Sequence, residues 1–282
     1  MAGPLVSLLT DFGSRDPSAA ICRGVIWSIA PDARLLDISH EVAKYAIRDG
    51  ALLLWCAIPY LPLGIHVAVV DPGVGSDRRP IAIRVGRGDI LVGPDNGLLL
   101  PVTERLGGIR DVVELTSPRY RLPVVSASFH GRDIFSPAAA HLALGAPLAE
   151  MGPALDPGVL VSLAIPDPIV ETGRLRSAVV YRDTFGNAKL AGVRADLEAA
   201  LGSLADGDRL VLGLAAHDQR AAGTLRTAWQ STFAAAGEGE PLVYEDSYGR
   251  ICLAVDRGNA VERYDLADDQ VVTIGRDTAT GS

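Results

Sequence analysis

The sequence predicts an α/β fold, with an N-terminal α/β domain on a largely parallel central sheet and a C-terminal β-barrel domain. Before residue 163, strand-like and helix-like patterns alternate, which is typical of a parallel sheet covered by helices. The pattern changes at 163–173, a segment with prolines and little periodicity. Beyond it, short apolar runs separated by Gly and Asp are typical of a small barrel or sandwich.

The apolar periodicity defines the individual elements of each domain. Predicted strands of the N-terminal domain cover residues 5–10, 34–39, 64–71, 80–85 and 89–94, and its predicted helices cover 18–31, 46–58 and 131–145. Predicted strands of the C-terminal domain cover 177–183, 187–193, 208–214, 240–246 and 249–255, and one helix covers 195–204. We therefore place the domains at residues 1–165 and 175–282, with a linker at 166–174.

The composition is that of a folded protein with a sizeable core. Hydrophobic residues make up 48% of the chain and charged residues 21%, which excludes a disordered chain. The net charge of −8 argues against nucleic-acid binding, which requires a basic surface. The three cysteines include no Cys-x-x-Cys pair, which argues against a disulfide framework and favours a reducing compartment. Since no basic segment precedes Asp11, we expect no signal peptide and a cytoplasmic protein.

One apolar stretch, residues 51–70, resembles a membrane span. It contains no Asp, Glu, Lys or Arg and is long enough to cross a bilayer. Pro59, Pro62 and Gly64 interrupt it, however, and divide it into a helix end, a turn and a strand. We therefore expect a soluble protein that makes no membrane contact.

Polar residues follow several of the predicted strands, where ligands usually bind to parallel sheets. In "LLTDFGSRDPS", Asp11 comes directly after the first strand, where a carboxylate can accept hydrogen bonds from two ribose hydroxyls. Asp16 and Ser18 stand just before the next helix, and the alternative is that one of them caps that helix.

The stretch "VAVVDPGVGSDRRP" brings Asp71 and Arg78 to the end of another apolar run. Its glycines do not form the dinucleotide fingerprint, and it lacks the lysine of a P-loop. The two side chains could therefore serve chemistry, or Asp71 could stabilise a turn and Arg78 could be a solvated charge.

Two further stretches carry candidate functional side chains. In "SASFHGRDIFSP", His130 could act as a general base, bind a metal or be satisfied by backbone groups. We expect no metal site, because no second His or Cys stands at ligand spacing. In "YRDTFGN", Phe185 and Asn187 could stack on and hydrogen-bond a purine, although the same pattern after Asp183 also fits a hairpin turn.

Taken together and in this order, the four stretches resemble the S-adenosylmethionine (SAM) hydroxide adenosyltransferase family, the adenosine-forming SAM hydrolases related to the fluorinase and chlorinase enzymes. The resemblance extends over nearly the whole chain, including "PDARLLDISHEV", "GPDNGLL" and "TFAAAGEGEPLVYEDSYGRICLAV". It implies an N-terminal α/β domain, a C-terminal β-barrel and a homotrimer. SAM would bind between the N-terminal domain of one subunit and the C-terminal domain of the next, as substrate and without a cofactor.

The resemblance also implies roles for individual residues. Asp11 matches the position that holds the ribose hydroxyls, and Tyr45 matches an aromatic position near the sugar. The positions that match the methionine site are Ser18, Asp183 and Ser247, and those that match the adenine pocket are Phe185, Asn187 and Phe233. Finally, Asp71, Arg78 and His130 match the set that positions a water or hydroxide in the hydrolases.

The implied reaction is attack of a water-derived oxygen on C5′ of SAM, which releases adenosine and L-methionine. The sulfonium departs as a neutral thioether and needs no protonation. The difficult part of the reaction is therefore the attack, because water is a weak nucleophile. Arg78 would favour the anionic form of an adjacent water, and Asp71 or His130 would accept its proton. One alternative is a SAM-dependent halogenase, although the halogenases carry Tyr where this chain has Asp71. The other is a SAM- or adenosine-binding protein without catalysis.

Overall fold

The structure, a computed structural model, describes residues 3–218 and 221–278. The chain separates into two compact units, Met1–Leu163 and Ala164–Ser282. The first contains a mixed sheet with helices and the second a closed barrel, which confirms the predicted fold class.

The first unit contains six strands and four α-helices among its described residues. The strands are β1 (Leu5–Thr10), β2 (Arg34–Ser39), β3 (Gly64–Val69), β4 (Pro80–Val85), β5 (Ile90–Pro94) and β6 (Ile109–Glu114). The helices are α1 (Ser18–Ile29), α2 (Ile47–Ala57), α3 (Leu100–Arg105) and α4 (Ser136–Ala143). Short 3₁₀ turns cover Ile58–Tyr60, Pro118–Tyr120, Leu148–Glu150 and Pro157–Val159, and a π-helical turn covers Gly131–Phe135.

The sheet of the first unit has the strand order β2-β1-β3-β5-β4-β6. β1 pairs in parallel with β2 and β3, and β3 pairs in parallel with β5. β4 pairs antiparallel with β5 and β6, because the short connection from β4 to β5 has no room for a crossover helix. Thr10 lies opposite Val69 at the carboxyl ends of β1 and β3, so the segments after these two strands start side by side.

The second unit contains eight described strands and two α-helices. The strands are β7 (Ile169–Glu171), β8 (Arg174–Arg182), β9 (Ala188–Val193), β10 (Arg209–Leu214), β11 (Gly223–Trp229), β12 (Pro241–Glu245), β13 (Arg250–Val255) and β14 (Val271–Arg276). The helices are α5 (Arg194–Leu201) and α6 (Ala260–Tyr264), and a 3₁₀ turn covers Phe233–Ala235.

Seven of these strands close into a barrel in the order β14-β10-β11-β12-β13-β9-β8, which β14 completes by pairing with β8. Its interior is filled by aliphatic side chains such as Leu190, Leu212 and Leu253, all fully buried. β7 pairs with β8 outside the barrel. The predicted linker at 166–174 is thus more ordered than expected, since a hairpin turning at Gly173 draws part of it into the sheet.

The apolar stretch 51–70 forms the end of α2, a 3₁₀ turn and β3. Within the described ranges, no helix combines the length and the hydropathy that a bilayer crossing needs.

Candidate active site

Arg78 stands at the centre of a cluster of charged and polar side chains in the first unit. Its Nε lies 3.0 and 2.9 Å from the two carboxylate oxygens of Asp71, and its Nη2 also donates to Asp71. The same Nη2 lies 2.8 Å from Nδ1 of His130. The side chains of Arg78 and Asp71 are only 9% and 5% exposed. The structure therefore brings together the three residues predicted to carry the chemistry.

One donor of Arg78 has no partner within the described residues. Nη1 is buried and donates to no acceptor among the residues that the structure describes. Burying an unpartnered guanidinium N–H is unfavourable, and such groups in native proteins mark a functional site or a place for a small ligand. The ring of Phe135 lies 5.3 Å from the guanidinium carbon and helps to exclude solvent.

The loop after β3 is folded so that Asp71 and Arg78 face each other. Val74 N–H donates to the carbonyl of Asp71, and Ser76 N–H donates to that of Gly73. Gly75 has a φ of +80°, and a Cβ there would lie 2.5 Å from the carbonyl oxygen of Ala127. A glycine at this point thus lets the loop approach the segment that carries His130.

His130 precedes the π-helical turn Gly131–Phe135, and such turns frequently occur at functional sites. The buried carboxylate of Asp133 accepts a hydrogen bond from Ser126 N–H at 2.8 Å and from Arg132 Nε at 2.6 Å. These contacts hold the segment before His130 against the turn. Burial, followed by the positive charge of Arg78, lowers the pKa of His130 below its ordinary value, so the imidazole is neutral at neutral pH.

Asp11 lies beside this cluster. It is 7% exposed and accepts a hydrogen bond from Tyr45 N–H at 3.0 Å. Tyr45 has a φ of +65° and an exposed ring. Asp11, Tyr45, Asp71 and His130 together line a small cavity of about 90 Å³. This cavity thus collects four of the six residues that were predicted in the first unit. Arg78 does not line it but contacts two residues that do, Asp71 and His130.

Ser18 is not among the residues that line this cavity. It is the first residue of α1 and is partly buried. The alternative role in capping is not observed either, because Pro17 occupies the N-cap position and no side chain caps the helix.

A second cavity, of about 750 Å³, lies in the barrel unit. All the residues predicted for this half of the chain line it: Asp183, Phe185, Asn187, Phe233 and Ser247. Its walls include aromatic rings, and Phe233 packs edge-on against Tyr244 with ring centroids 4.9 Å apart. An aromatic-walled cavity of this size with a few polar groups suits a small organic ligand.

The segment 183–187 is indeed a hairpin turn, and the turn orients the predicted side chains. Asp183 accepts hydrogen bonds from the N–H groups of Phe185 and Asn187, each at 3.0 Å, and from Asn187 Nδ2 at 2.9 Å. Phe185 is 77% exposed at the tip of the turn. The hairpin alternative is thus observed, and it is compatible with the ligand-binding alternative, since a turn can present an aromatic ring and an amide to a ligand.

The sequence analysis missed several residues of these two sites. Lys189 and Asp246 form an ion pair in the wall of the larger cavity, with 2.5 Å between Nζ and Oδ2. Asp133 supports the His130 segment, as described above. The one signal for Lys189 in the sequence is a lysine inside an apolar strand, "NAKLAGV", in a chain with few lysines. In the ranges that the structure describes, no three His, Cys, Asp or Glu side chains are arranged to hold a metal ion.

Comparison with known proteins identifies the family. The family model described as SAM hydroxide adenosyltransferase N-terminal domain matches residues 6–152, and the corresponding C-terminal domain model matches residues 177–273. The chain belongs to the SAM hydroxide adenosyltransferase family. Residues 71, 78 and 130 lie within the first match, and the residues that line the barrel cavity lie within the second.

Individual members of the family, and a solved structure, are similar over almost the full length of the chain. An (R)-S-adenosyl-L-methionine hydrolase of Salinispora arenicola is 45% identical over 92% of this chain and 93% of its own. A fluorinase of an Actinoplanes species is 28% identical over 96% of this chain and 97% of its own. The crystal structure of an uncharacterized conserved protein from Thermotoga maritima has a TM-score of 0.87 and 30% identity, covering 96% of this chain and 100% of that one.

Proposed function

We propose that this chain hydrolyses SAM by attack of a water-derived oxygen on C5′ of the ribose, giving adenosine and L-methionine. The observation that carries the proposal is the buried guanidinium of Arg78, which is held by Asp71 and His130 and whose Nη1 has no partner among the described residues. An oxygen nucleophile that develops negative charge is the ligand that such a donor favours. The hydrolase relative, at 45% identity, is named for the (R) epimer of SAM, and we propose the same preference here.

The geometry suggests distinct roles for Asp71 and His130. Arginine can only donate, so its contact with Nδ1 places the proton of neutral His130 on Nε2. His130 then acts as a second donor that aims the attacking oxygen. Asp71 can only accept in its ionised form, and it lines the same cavity, so it takes the proton as the bond to C5′ forms. The C5′–sulfur bond breaks with its electron pair going to sulfur, and methionine leaves as a neutral thioether.

The remaining predicted residues are assigned to substrate binding. Asp11 would hold the ribose hydroxyls, with Tyr45 beside the sugar. In the barrel cavity, Phe185, Asn187 and Phe233 would bind adenine, and Asp183 and Ser247 the methionine portion. Ser18 is retained in the methionine site only on the strength of the resemblance. Because the sulfonium of SAM supplies its own leaving group, the proposed reaction needs no cofactor and no metal.

We also propose that the chain forms a homotrimer with its substrate sites at the subunit interfaces, as the family resemblance implies. Support for this comes from the distribution of the predicted residues, which line one cavity in each unit. A cytoplasmic location is proposed because Cys22 and Cys252 are free thiols and the sequence contains no Cys-x-x-Cys pair.

The test is a product assay with the two resolved sulfonium epimers of SAM, with and without added chloride or fluoride. We expect adenosine and methionine in equal amounts, faster from the (R) epimer, and no effect of halide. A 5′-halo-adenosine would identify the chain as a halogenase like its fluorinase relative. Tight binding of SAM without any product would show that the chain binds SAM without catalysing its hydrolysis.

A further inference from the structure

The cavity of the barrel unit contains a buried positive charge that the proposed reaction does not use. Lys189 lies on β9, lines the cavity and is 9% exposed. A lysine is seldom buried in this way, because removing its ammonium group from water is costly unless acceptors replace the solvent. The surroundings of Lys189 should therefore show which acceptors it meets.

Asp246 is the protein partner of Lys189, and its own hydrogen-bonding capacity is largely used. Its Oδ2 accepts from Nζ of Lys189 at 2.5 Å. Its Oδ1 accepts from the N–H groups of Tyr248 and Arg250 at 2.8 and 2.9 Å. The ion pair is thus anchored to the turn between β12 and β13, which fixes the direction in which Lys189 points.

The ammonium group of Lys189 has more N–H donors than it has protein acceptors. A lysine carries three N–H donors, and in the described part of the chain Asp246 is the one hydrogen-bond acceptor within reach of Nζ. The ring of Tyr248, 5.6 Å from Nζ, covers another side of the group. Lys189 lines the cavity, so the donors that are left suit a ligand that carries an anionic oxygen.

Asp183 complements this arrangement across the same cavity. Its carboxylate takes three hydrogen bonds from its own turn, which leaves room for one more donor. Burial by itself lowers the pKa of Lys189, but the acidic groups around it, Cys252, Asp246 and Asp183, outweigh that and raise the pKa, so the ammonium stays charged. A fixed cation and a nearby carboxylate match the two charges of an α-amino acid.

We infer that Lys189 binds the α-carboxylate of the substrate's methionine portion and makes the enzyme specific for sulfonium nucleosides that carry a free carboxylate. The inference deepens the proposed function and rests on it. The other cation that lines the cavity, Arg257, is 73% exposed and pairs with Glu238 at 3.2 Å, so water already satisfies it and it offers a weaker interaction. Removing the carboxylate from the substrate, or the ammonium from the protein, should abolish the same contact.

The experiment compares SAM with decarboxylated SAM, which differs from it by the carboxylate alone. For the wild-type protein we expect kcat/KM to be about 10- to 100-fold higher with SAM, as the loss of one charge-assisted hydrogen bond predicts. In Lys189→Met this preference should vanish through a higher KM for SAM, with the values for decarboxylated SAM unchanged. The inference would be overturned if the wild type had the same kcat/KM for both substrates. It would also be overturned if Lys189→Met lowered kcat/KM by the same factor for both.

Two further variants address folding and the choice of cation. Lys189→Met leaves Asp246 as an unpaired buried carboxylate, so Lys189→Met/Asp246→Asn, which removes both charges, serves as the variant that folds more readily. Arg182→Met is the matched control, since Arg182 pairs with Asp268 at 2.9 Å outside the cavity, and it should keep the wild-type preference. Loss of the preference in Arg257→Met, and not in the Lys189 variants, would assign the role to Arg257 instead.

Equilibrium dialysis separates a failure of this inference from a failure of the proposed function. If the wild type forms no adenosine from SAM, the proposed hydrolysis is wrong. The ratio of the dissociation constants of decarboxylated SAM and SAM still tests the role of Lys189. We expect that ratio to favour SAM about 10- to 100-fold in the wild type and to approach unity in the Lys189 variants. A ratio that is the same in all these proteins would refute the role of Lys189 alone.

Discussion

Arg78 brings both a positive charge and a planar set of N–H donors to Asp71 and His130, which line the first cavity. Nε and Nη2 bind Asp71, and Nη2 also binds His130. Nη1 has no partner within the described residues, and in the proposed reaction it would donate to the attacking oxygen. A lysine would keep the charge but has a single ammonium group at the end of a flexible stem, which cannot bridge both partners in one plane. If the orientation of the two partners matters as much as the charge, a lysine will not suffice.

Arg78→Lys is therefore expected to lower kcat for adenosine formation by about 10²- to 10³-fold, with little change in the KM for SAM. Initial rates over a range of SAM concentrations give both constants. Arg79→Lys is the matched control, because Arg79 Nε donates to Asp95 at 2.9 Å and not to Asp71 or His130. It should keep the wild-type kcat, and a fully active Arg78→Lys would show that charge alone is enough.

The protonation state of His130 predicts how turnover depends on pH. Neutral His130 accepts from Arg78 at Nδ1, and protonation would place an N–H there, pointing at another donor. Because the pKa of His130 is lowered by burial and by Arg78, the neutral form persists to a pH below 6.5, the ordinary value. The log of kcat should thus be level near neutral pH and fall only below pH 6.5. In His130→Gln, this fall of kcat at acid pH should be absent. A fall of kcat in the wild type with an apparent pKa above 6.5 would contradict the assignment.

The residues that the sequence could reveal are those with a local signal. Asp71 stands at the end of an apolar run and His130 stands beside a glycine, and the family resemblance groups them with Arg78. Lys189 and Asp246 are 57 positions apart and become partners only because β9 pairs with β13. Asp133 looks like one half of a common Arg-Asp pair until the fold buries it beneath the segment of His130. Such long-range ion pairs leave no pattern that a single sequence can show.

The turn between β8 and β9 depends on Gly186. This residue has a φ of +81°, and a Cβ on it would overlap the side-chain amide of Asn259. Asn259 in turn caps α6 by accepting a hydrogen bond from Glu262 N–H at 2.9 Å. The turn that presents Phe185 and Asn187 to the cavity is thus packed directly against the start of a helix.

Gly186→Ala should lower the free energy of unfolding by about 1–3 kcal/mol and weaken adenosine binding, because the turn must move to relieve the overlap. Gly173→Ala is a close control, since Gly173 has a φ of +80° in the turn between β7 and β8 but no atom near its missing Cβ. Gly173→Ala should lose only the smaller amount of unfolding free energy that the left-handed conformation costs. It should bind adenosine normally. Thermal unfolding and isothermal titration with adenosine measure the two effects, and equal behaviour of the two variants would contradict this account.

The elements with a clear period were predictable, and those defined by remote partners were not. The short apolar run 5–10 and the helical run 46–58 correspond closely to β1 and α2. β11, with the sequence "GTLRTAW", mixes polar and apolar residues and becomes a strand because β10 and β12 lie on either side of it. β14 was missed as well, although its pairing with β8 is what closes the barrel. Closure of a barrel is a long-range event, to which local propensity contributes little.

The two cavities divide the proposed chemistry between the two units of the chain. The cavity of the first unit is lined by Asp71 and His130, which the proposal assigns to the oxygen nucleophile, and the cavity of the barrel unit is lined by the residues assigned to adenine and methionine. In the proposed reaction, one substrate molecule contacts both sets at once. The proposed homotrimer meets this requirement by joining the first unit of one subunit to the barrel unit of another, which makes every site dependent on two chains.

Two inactive variants should therefore restore each other's activity. His130→Ala removes a group of the first cavity, and Phe185→Ala removes an exposed ring of the second without touching a core. When equal amounts are unfolded together and reassembled, about a quarter of the interface sites should combine two intact halves, so the mixture should approach a quarter of the wild-type rate. Each variant treated alone in the same way supplies the baseline.

The location of the second substitution provides the decisive control for this experiment. His130→Ala mixed with Arg78→Ala places both defects in the same side-chain cluster of the first unit, so no mixed interface contains an intact first half and the rate should stay at the baseline. Sites built within single chains predict a different outcome, namely the mean of the two parent rates in every mixture. Because every chain in both mixtures carries one defect, and the mixtures differ in whether the two defects lie in the same half of the site, a rate above that mean can arise only from subunits that complete each other's sites.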